Sequence, residues 1–84
     1  MKKHTETFEM VVNNKPVTVT ATAYVMHTNE KRYRVSVNDS PVYIYAWNDE
    51  LKRYSVLQTS QAAAQLPEVI DEAIGRQIYS RMAA

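Results

Sequence analysis

Residues 8–25 read FEMVVNNKPVTVTATAYV, and this stretch decides the fold that we expect. Apolar residues stand at every second position in residues 8–12 and again in residues 17–25, on either side of the pair Asn13-Asn14. Such alternation is typical of strands that bury one face. Because asparagine tolerates a positive φ angle, the pair predicts a two-residue hairpin turn. The turn opposes Val12 to Lys15 and aligns the apolar side chains of both strands on one face.

The alternation continues through two or three further strands. Residues 33–37 alternate between apolar and polar side chains, and Asp39-Ser40 predicts the turn that follows them. A two-residue turn at this position opposes Val35 to Ile44. A shorter fifth strand is expected at about residues 53–57. All these connections are short, so we expect an antiparallel meander.

After the strands, the period changes to that of a helix. Apolar side chains recur at helical spacing and predict one buried stripe, made of Leu66, Val69, Ile70, Ala73, Ile74 and Ile78. We expect the main helix over residues 67–82, with residues 60–65 as a separate turn, because a residue before proline disfavours the α region. Asp71 and Glu72 favour the positive N-terminal end of the helix and are expected to be solvated.

These elements predict one α+β domain over residues 1–84, with a sheet at about 5–57 and helical structure at about 60–82. The helix covers one sheet face, which gives the order ββββ(β)α. The chain has 84 residues, of which 45% are hydrophobic and 23% charged, as in globular proteins. It contains no cysteine, which excludes disulfides and thiolate chemistry and agrees with a cytoplasmic location. No apolar run is long enough to span a bilayer, so we expect no membrane association.

The second sheet face has no element left to cover it. The expected registers place a mixture of aromatic and basic side chains there. If Val25 opposes Tyr33, Tyr24 lies beside Arg34 and Met26 beside Arg32. The candidate binding residues on this predicted open face are Tyr24, Arg32, Arg34, Tyr43, Tyr45 and Trp47.

Three interpretations of the predicted open face stay open. Cross-strand aromatic–arginine pairs stabilise a sheet without any partner. Tyrosine, tryptophan and arginine are also enriched in protein interfaces, which favours a homodimer or another protein partner. Single-stranded nucleic acid is the third interpretation, because bases stack on aromatic rings. The predicted strand and helix order is similar to that of Whirly and Pur-alpha domains, which bind single strands. The net charge of +1 argues against nucleic acid.

Outside that face, few residues suggest chemistry. His4 and His27 lack neighbours at metal-ligand spacing, so we expect no metal, and no glycine-rich loop predicts a cofactor. The single glycine, Gly75, falls inside the helix on the side away from the stripe, near Tyr79 and Met82. We expect this outer helix side to contact a second copy.

The sequence therefore predicts a small cytoplasmic interaction domain that is not an enzyme. We expect it to self-associate through the predicted open face or the outer helix side. The alternative is a protein that binds single-stranded nucleic acid on the open sheet face.

Overall fold

The computed structural model describes residues 4–38, 42–57 and 66–83, and within them it confirms the α+β meander. Among these residues, five antiparallel strands lie in chain order in one curled sheet, and a helix follows them. The strands are β1 (His4–Val12), β2 (Lys15–Val25), β3 (Lys31–Val37), β4 (Tyr43–Asn48) and β5 (Arg53–Val56). Helix α1 (Glu68–Ile78) continues into a π-helical turn over Tyr79–Ala83. The turns predicted at Asp39-Ser40 and at residues 60–65 lie outside the described residues.

The β1–β2 hairpin has the predicted register. Val12 opposes Lys15, and Phe8 opposes Val19. The φ angles of Asn13 and Asn14 are 51° and 63°, so both central residues adopt the left-handed conformation that a primed turn requires. The asparagine pair and the alternating pattern act together, and the register prediction is confirmed.

The predicted pairing of β2 with β3 is wrong by two residues. Ala23 opposes Tyr33, and Val25 opposes Lys31. A backbone hydrogen bond of 2.9 Å from Met26 N to the Glu30 oxygen closes the turn between the two strands, directly after the last pair of the ladder. Because the shift is even, every side chain of β3 keeps its predicted face.

The predicted pairing of β3 with β4 is wrong by one residue, and this error changes the faces of β4. Val35 opposes Tyr43 and Tyr33 opposes Tyr45, whereas the sequence predicted Ile44 opposite Val35. An odd shift moves every side chain of the strand to the other side of the sheet. Asn38 bonds to β2 at this point, since its N donates to the Thr18 oxygen at 2.8 Å and its Oδ1 accepts from Thr18 N at 2.8 Å.

The core lies between the concave sheet face and α1. Its buried apolar side chains are Phe8, Val12, Val17, Val19, Ala21, Tyr33, Val35, Val37, Tyr45, Val56, Ile74 and Ile78. The predicted stripe is confirmed at Ile74 and Ile78 and is wrong at Val69, which is 47% exposed. Asp71 and Gly75, both expected on the surface, are buried. The helix is thus rotated relative to the prediction, because it packs against β5 through these two residues.

Candidate interaction surface

The six candidate residues of the predicted open face lie on two faces of the sheet. Tyr24, Arg32 and Arg34 lie on the outer face, where the Arg34 guanidinium carbon is 5.1 Å from the centre of the Tyr24 ring. Tyr43, Tyr45 and Trp47 instead lie on the face that carries Tyr33 and Val35. The expectation that all six share one surface is therefore wrong. Their role in binding stays a prediction.

Tyr45 is a core residue with no exposed surface. Its hydroxyl has no hydrogen-bond partner among the described residues, and the same holds for the hydroxyl of buried Tyr33. Burial, reinforced by the charge of Asp71, raises the pKa of Tyr45 well above its usual value of 10.0. Burial likewise raises the pKa of Tyr33, with Tyr54 adding to the effect. Both rings therefore stay neutral in the folded protein.

Asp71 joins α1 to the free edge of β5. Its Oδ1 accepts a hydrogen bond of 2.9 Å from Val56 N, and its Oδ2 accepts one of 2.8 Å from Ser55 Oγ. The Arg53 guanidinium donates to Oδ2 at 3.1 Å and to the Tyr54 carbonyl oxygen at 3.3 Å. The carboxylate thus satisfies an edge-strand N–H that would otherwise be buried without a partner. The sequence contains one indication of this burial. Position 71 is three residues before Ile74 and therefore lies on the same side of the helix.

An aromatic series leads from the core to the surface beside this contact. The rings of Tyr33 and Tyr54 meet edge to face at 5.2 Å, and those of Tyr54 and Trp47 at 5.4 Å. Trp47 then lies 6.4 Å from Tyr79 of the π-helical turn, with an angle of 39° between the rings. Trp47 is 45% exposed and Tyr79 56% exposed. The outermost pair of the series is therefore open to a ligand or a partner.

This pair lines a groove, which we call the Trp47 groove. It has a volume of about 420 Å³. Its lining residues are Trp47, Leu51, Lys52, Arg53, Glu72, Gly75, Arg76 and Tyr79. Nothing in the sequence pattern indicated this groove, because its walls come from the β4–β5 connection and from α1, which only packing brings together.

The solvent side of α1 carries a second surface, the helix strip, made of Val69, Glu72, Ala73 and Arg76. Arg76 Nη2 forms an ion pair with Glu72 Oε1 at 2.7 Å. Apolar and paired charged side chains alternate along this strip, which has no covering element among the described residues.

The expectation for Gly75 is wrong in one respect. Gly75 is not on the outer helix side, since it is buried and faces the Tyr54 carbonyl oxygen. Met82 also packs against the core, whereas Tyr79 is exposed as expected. A contact between helices of two copies would therefore have to use the helix strip and Tyr79 rather than Gly75.

The remaining polar clusters are ordinary surface features. His4 Nε2 lies 3.0 Å from Glu6 Oε2, and His27 is exposed in the β2–β3 connection. Among residues 4–38, 42–57 and 66–83, no three histidine or carboxylate side chains are grouped so that they could hold a metal ion. No helix in this part of the chain has the length and apolar character needed to cross a bilayer.

Comparison with known proteins finds no match for this chain, whether to a protein family, to a curated protein or to a solved structure.

Proposed function

We propose that this protein is an interaction domain without catalytic activity of its own, and that it self-associates through the helix strip. The helix strip lies on the solvent side of α1, although Ala73 within it is half-buried and also packs against the core. The observation that carries the proposal is the pattern of apolar and charged groups along this strip.

Apolar side chains at both ends of the strip are exposed to solvent. Val69 is 47% exposed at one end, and Tyr79, just beyond the other end, is 56% exposed. Ala73 lies between them and is partly exposed. A small side chain at the middle of the strip allows two helices to approach closely, while the larger side chains at the ends supply apolar contact area.

The charged part of the strip is complementary to itself. Glu72 and Arg76 stand one helical turn apart, on either side of the middle of the strip. When two such helices pack antiparallel about a two-fold axis, Glu72 of each copy faces Arg76 of the other. Val69 of each copy then lies near Tyr79 of the other. The two ion pairs within the separate helices are thereby exchanged for two pairs across the interface.

Nucleic-acid binding on the outer sheet face has less support. Of the four aromatic residues expected there, Tyr43, Tyr45 and Trp47 lie on the other face, so Tyr24 alone stays beside Arg32 and Arg34. A single ring does not make the stacking platform that single strands require. The net charge of +1 adds no general attraction for phosphates.

The experiment uses sedimentation equilibrium of the wild type and of the variants R76E and E72R. R76E carries two acidic positions on the strip, and E72R carries two basic positions. In the proposed dimer, each variant alone places like charges opposite each other, so each should dissociate at least tenfold more readily than the wild type. An equimolar mixture restores opposite charges across the interface and should yield a heterodimer.

A matched control is R34E, which makes the same charge change on the outer sheet face and should leave self-association unchanged. Circular dichroism verifies that every variant keeps its helix. A wild type that stays monomeric at millimolar concentration overturns the proposal. A mixture that associates no better than its separate components excludes the antiparallel arrangement.

A further inference from the structure

The Trp47 groove lies on the flank of α1 that faces the β4–β5 connection, and it shares Glu72 and Arg76 with the helix strip. We infer that this groove binds a small molecule that consists of a planar aromatic ring and one anionic group, a carboxylate or a phosphate. The inference does not depend on self-association, because a monomer presents the same groove. In the proposed dimer, Arg76 and Tyr79 would also contact the second copy.

The size and shape of the groove fit such a molecule. A volume of about 420 Å³ lies in the range of small-ligand sites. One wall is the connection that carries Leu51 and Lys52, and the other is α1. Gly75 lies between the two walls, where its backbone packs directly against the Tyr54 backbone.

The aromatic wall is suited to a flat ring. The rings of Trp47 and Tyr79 are 6.4 Å apart and inclined by 39°, and each is about half exposed. A ligand ring can stack on one of these faces and contact the edge of the other, as aromatic pairs prefer. Leu51, which is 49% exposed, extends the apolar surface on the opposite side.

The basic side chains of the lining can bind an anion. Lys52, Arg53 and Arg76 line the groove, and each also forms an ion pair, with Asp49, Asp71 and Glu72 respectively. The pairs of Lys52 and Arg76 are exposed and therefore weak, so an anionic ligand can compete for these two cations. Asp71 and the Tyr54 carbonyl oxygen hold the Arg53 guanidinium in place, so little side-chain entropy is lost when a ligand binds there. Arg76 is 75% exposed and reaches the groove from the helix side. Guanidinium groups bind carboxylates and phosphates with directed hydrogen bonds.

The chain offers a direct probe, because Trp47 is its only tryptophan. Its fluorescence is titrated with phenylacetate and with phenyl phosphate. The comparison compounds are phenylacetamide, which keeps the ring and removes the charge, phenethylamine, which inverts the charge, and inorganic phosphate, which lacks the ring. We expect saturable binding of the two aromatic anions and at least tenfold weaker binding of all three comparison compounds.

Two variants test where the ligand binds. Y79A removes one aromatic wall, R76Q removes one cation, and each should weaken binding of phenyl phosphate about tenfold. Matched controls are Y24A and R34Q, which make the same changes on the outer sheet face and should leave the affinity unchanged. Calorimetry measures the affinities of all four variants independently of the tryptophan signal.

One further variant separates this inference from the proposed dimer. V69E should abolish self-association, and Val69 does not line the groove, so ligand binding should persist in this variant. Absence of saturable binding of either anion at concentrations up to about 10 mM overturns the inference, because a specific site of this size binds its ligand more tightly than that. Equal binding of phenylacetate and phenylacetamide overturns the assignment of an anionic ligand. Unchanged affinity in both Y79A and R76Q overturns the location.

Discussion

Gly75 packs against the carbonyl oxygen of Tyr54 so closely that a Cβ at position 75 would overlap that oxygen. The contact brings the backbone of α1 directly onto the free edge of β5. It lies one helical turn after Asp71, whose carboxylate binds Val56 N on the same edge. These two positions together set the distance and the rotation of the helix. They also determine which of its residues remain for an interface.

The first prediction concerns Gly75→Ala. Alanine favours a helix interior by about 1 kcal/mol over glycine, so an unconstrained site would be stabilised. Here the added methyl group overlaps a backbone oxygen that cannot rotate away, and overpacking costs about 1–3 kcal/mol. We expect a net loss of about 1 kcal/mol or more in the free energy of unfolding, measured with urea. Glu9→Ala at an exposed position of β1 is the control and should change it by less than about 0.5 kcal/mol. A stabilised Gly75→Ala would contradict the close contact.

The second prediction concerns the carboxylate of Asp71. Asp71→Asn keeps the shape but removes the charge that opposes the largely buried Arg53. Removing one partner of a buried ion pair leaves the other uncompensated, so we expect a loss of about 3 kcal/mol in the free energy of unfolding. Asp49→Asn makes the same change in the exposed pair with Lys52 and should alter it by less than about 0.5 kcal/mol. Chemical denaturation of both variants measures the difference, and equal losses would refute the buried role of Asp71.

The third prediction is a loss of stability in alkaline solution. Tyr33 and Tyr45 have raised pKa values in the folded protein, so above pH 10 the unfolded chain releases protons that the folded chain retains. Stability is therefore fully present below about pH 10 and falls as the pH rises further, by about 1 kcal/mol per tyrosine at pH 11. Tyr45→Phe removes one of these groups and also a buried hydroxyl without a partner. It should be neutral or stabilising at pH 7 and should weaken the alkaline loss. Urea titrations from pH 8 to pH 11 measure both effects, and an unchanged slope in Tyr45→Phe would contradict the prediction.

The fourth prediction tests which face of β4 is buried. Tyr45 has no exposed surface, and its neighbour Ile44 is only partly buried on the opposite face. Tyr45→Ala should therefore lower the free energy of unfolding by about 3–5 kcal/mol. Ile44→Ala should lower it by less than half as much. Thermal or urea unfolding ranks the two variants. A larger loss in Ile44→Ala than in Tyr45→Ala would instead support the register with Ile44 opposite Val35.

The contrast between the two hairpins shows where sequence reasoning succeeds. In β1 and β2, threonine or glutamate stands between most of the apolar residues, so one register buries the apolar set, and Asn13-Asn14 allows the turn it needs. In β4, residues 43–47 read YIYAW, and both alternating sets are apolar. The hydrophobic pattern cannot choose between the two faces when either choice buries apolar side chains.

The helix shows a related limit. Its length and its burial at Ile74 and Ile78 follow from the helical spacing of apolar residues. Its rotation does not, because Asp71 and Gly75 are counted as surface residues when charge and size alone are considered. Both are buried because β5 is an edge strand whose outward N–H and C=O groups must be bonded or covered.

The sequence by itself determined the order of the elements, the antiparallel meander, the β1–β2 register and the presence of one amphipathic helix. Each of these depends on local turn chemistry or on a periodic contrast between polar and apolar residues. Only the tertiary structure decided the face of β4, the rotation of α1 and therefore the positions of Trp47 and Tyr79 in one groove. The rotation of α1 depends on how the edge of β5 is satisfied by Asp71, 15 positions after Val56, and no local pattern encodes that contact. The face of β4 depends on a pairing that its two apolar sets leave open.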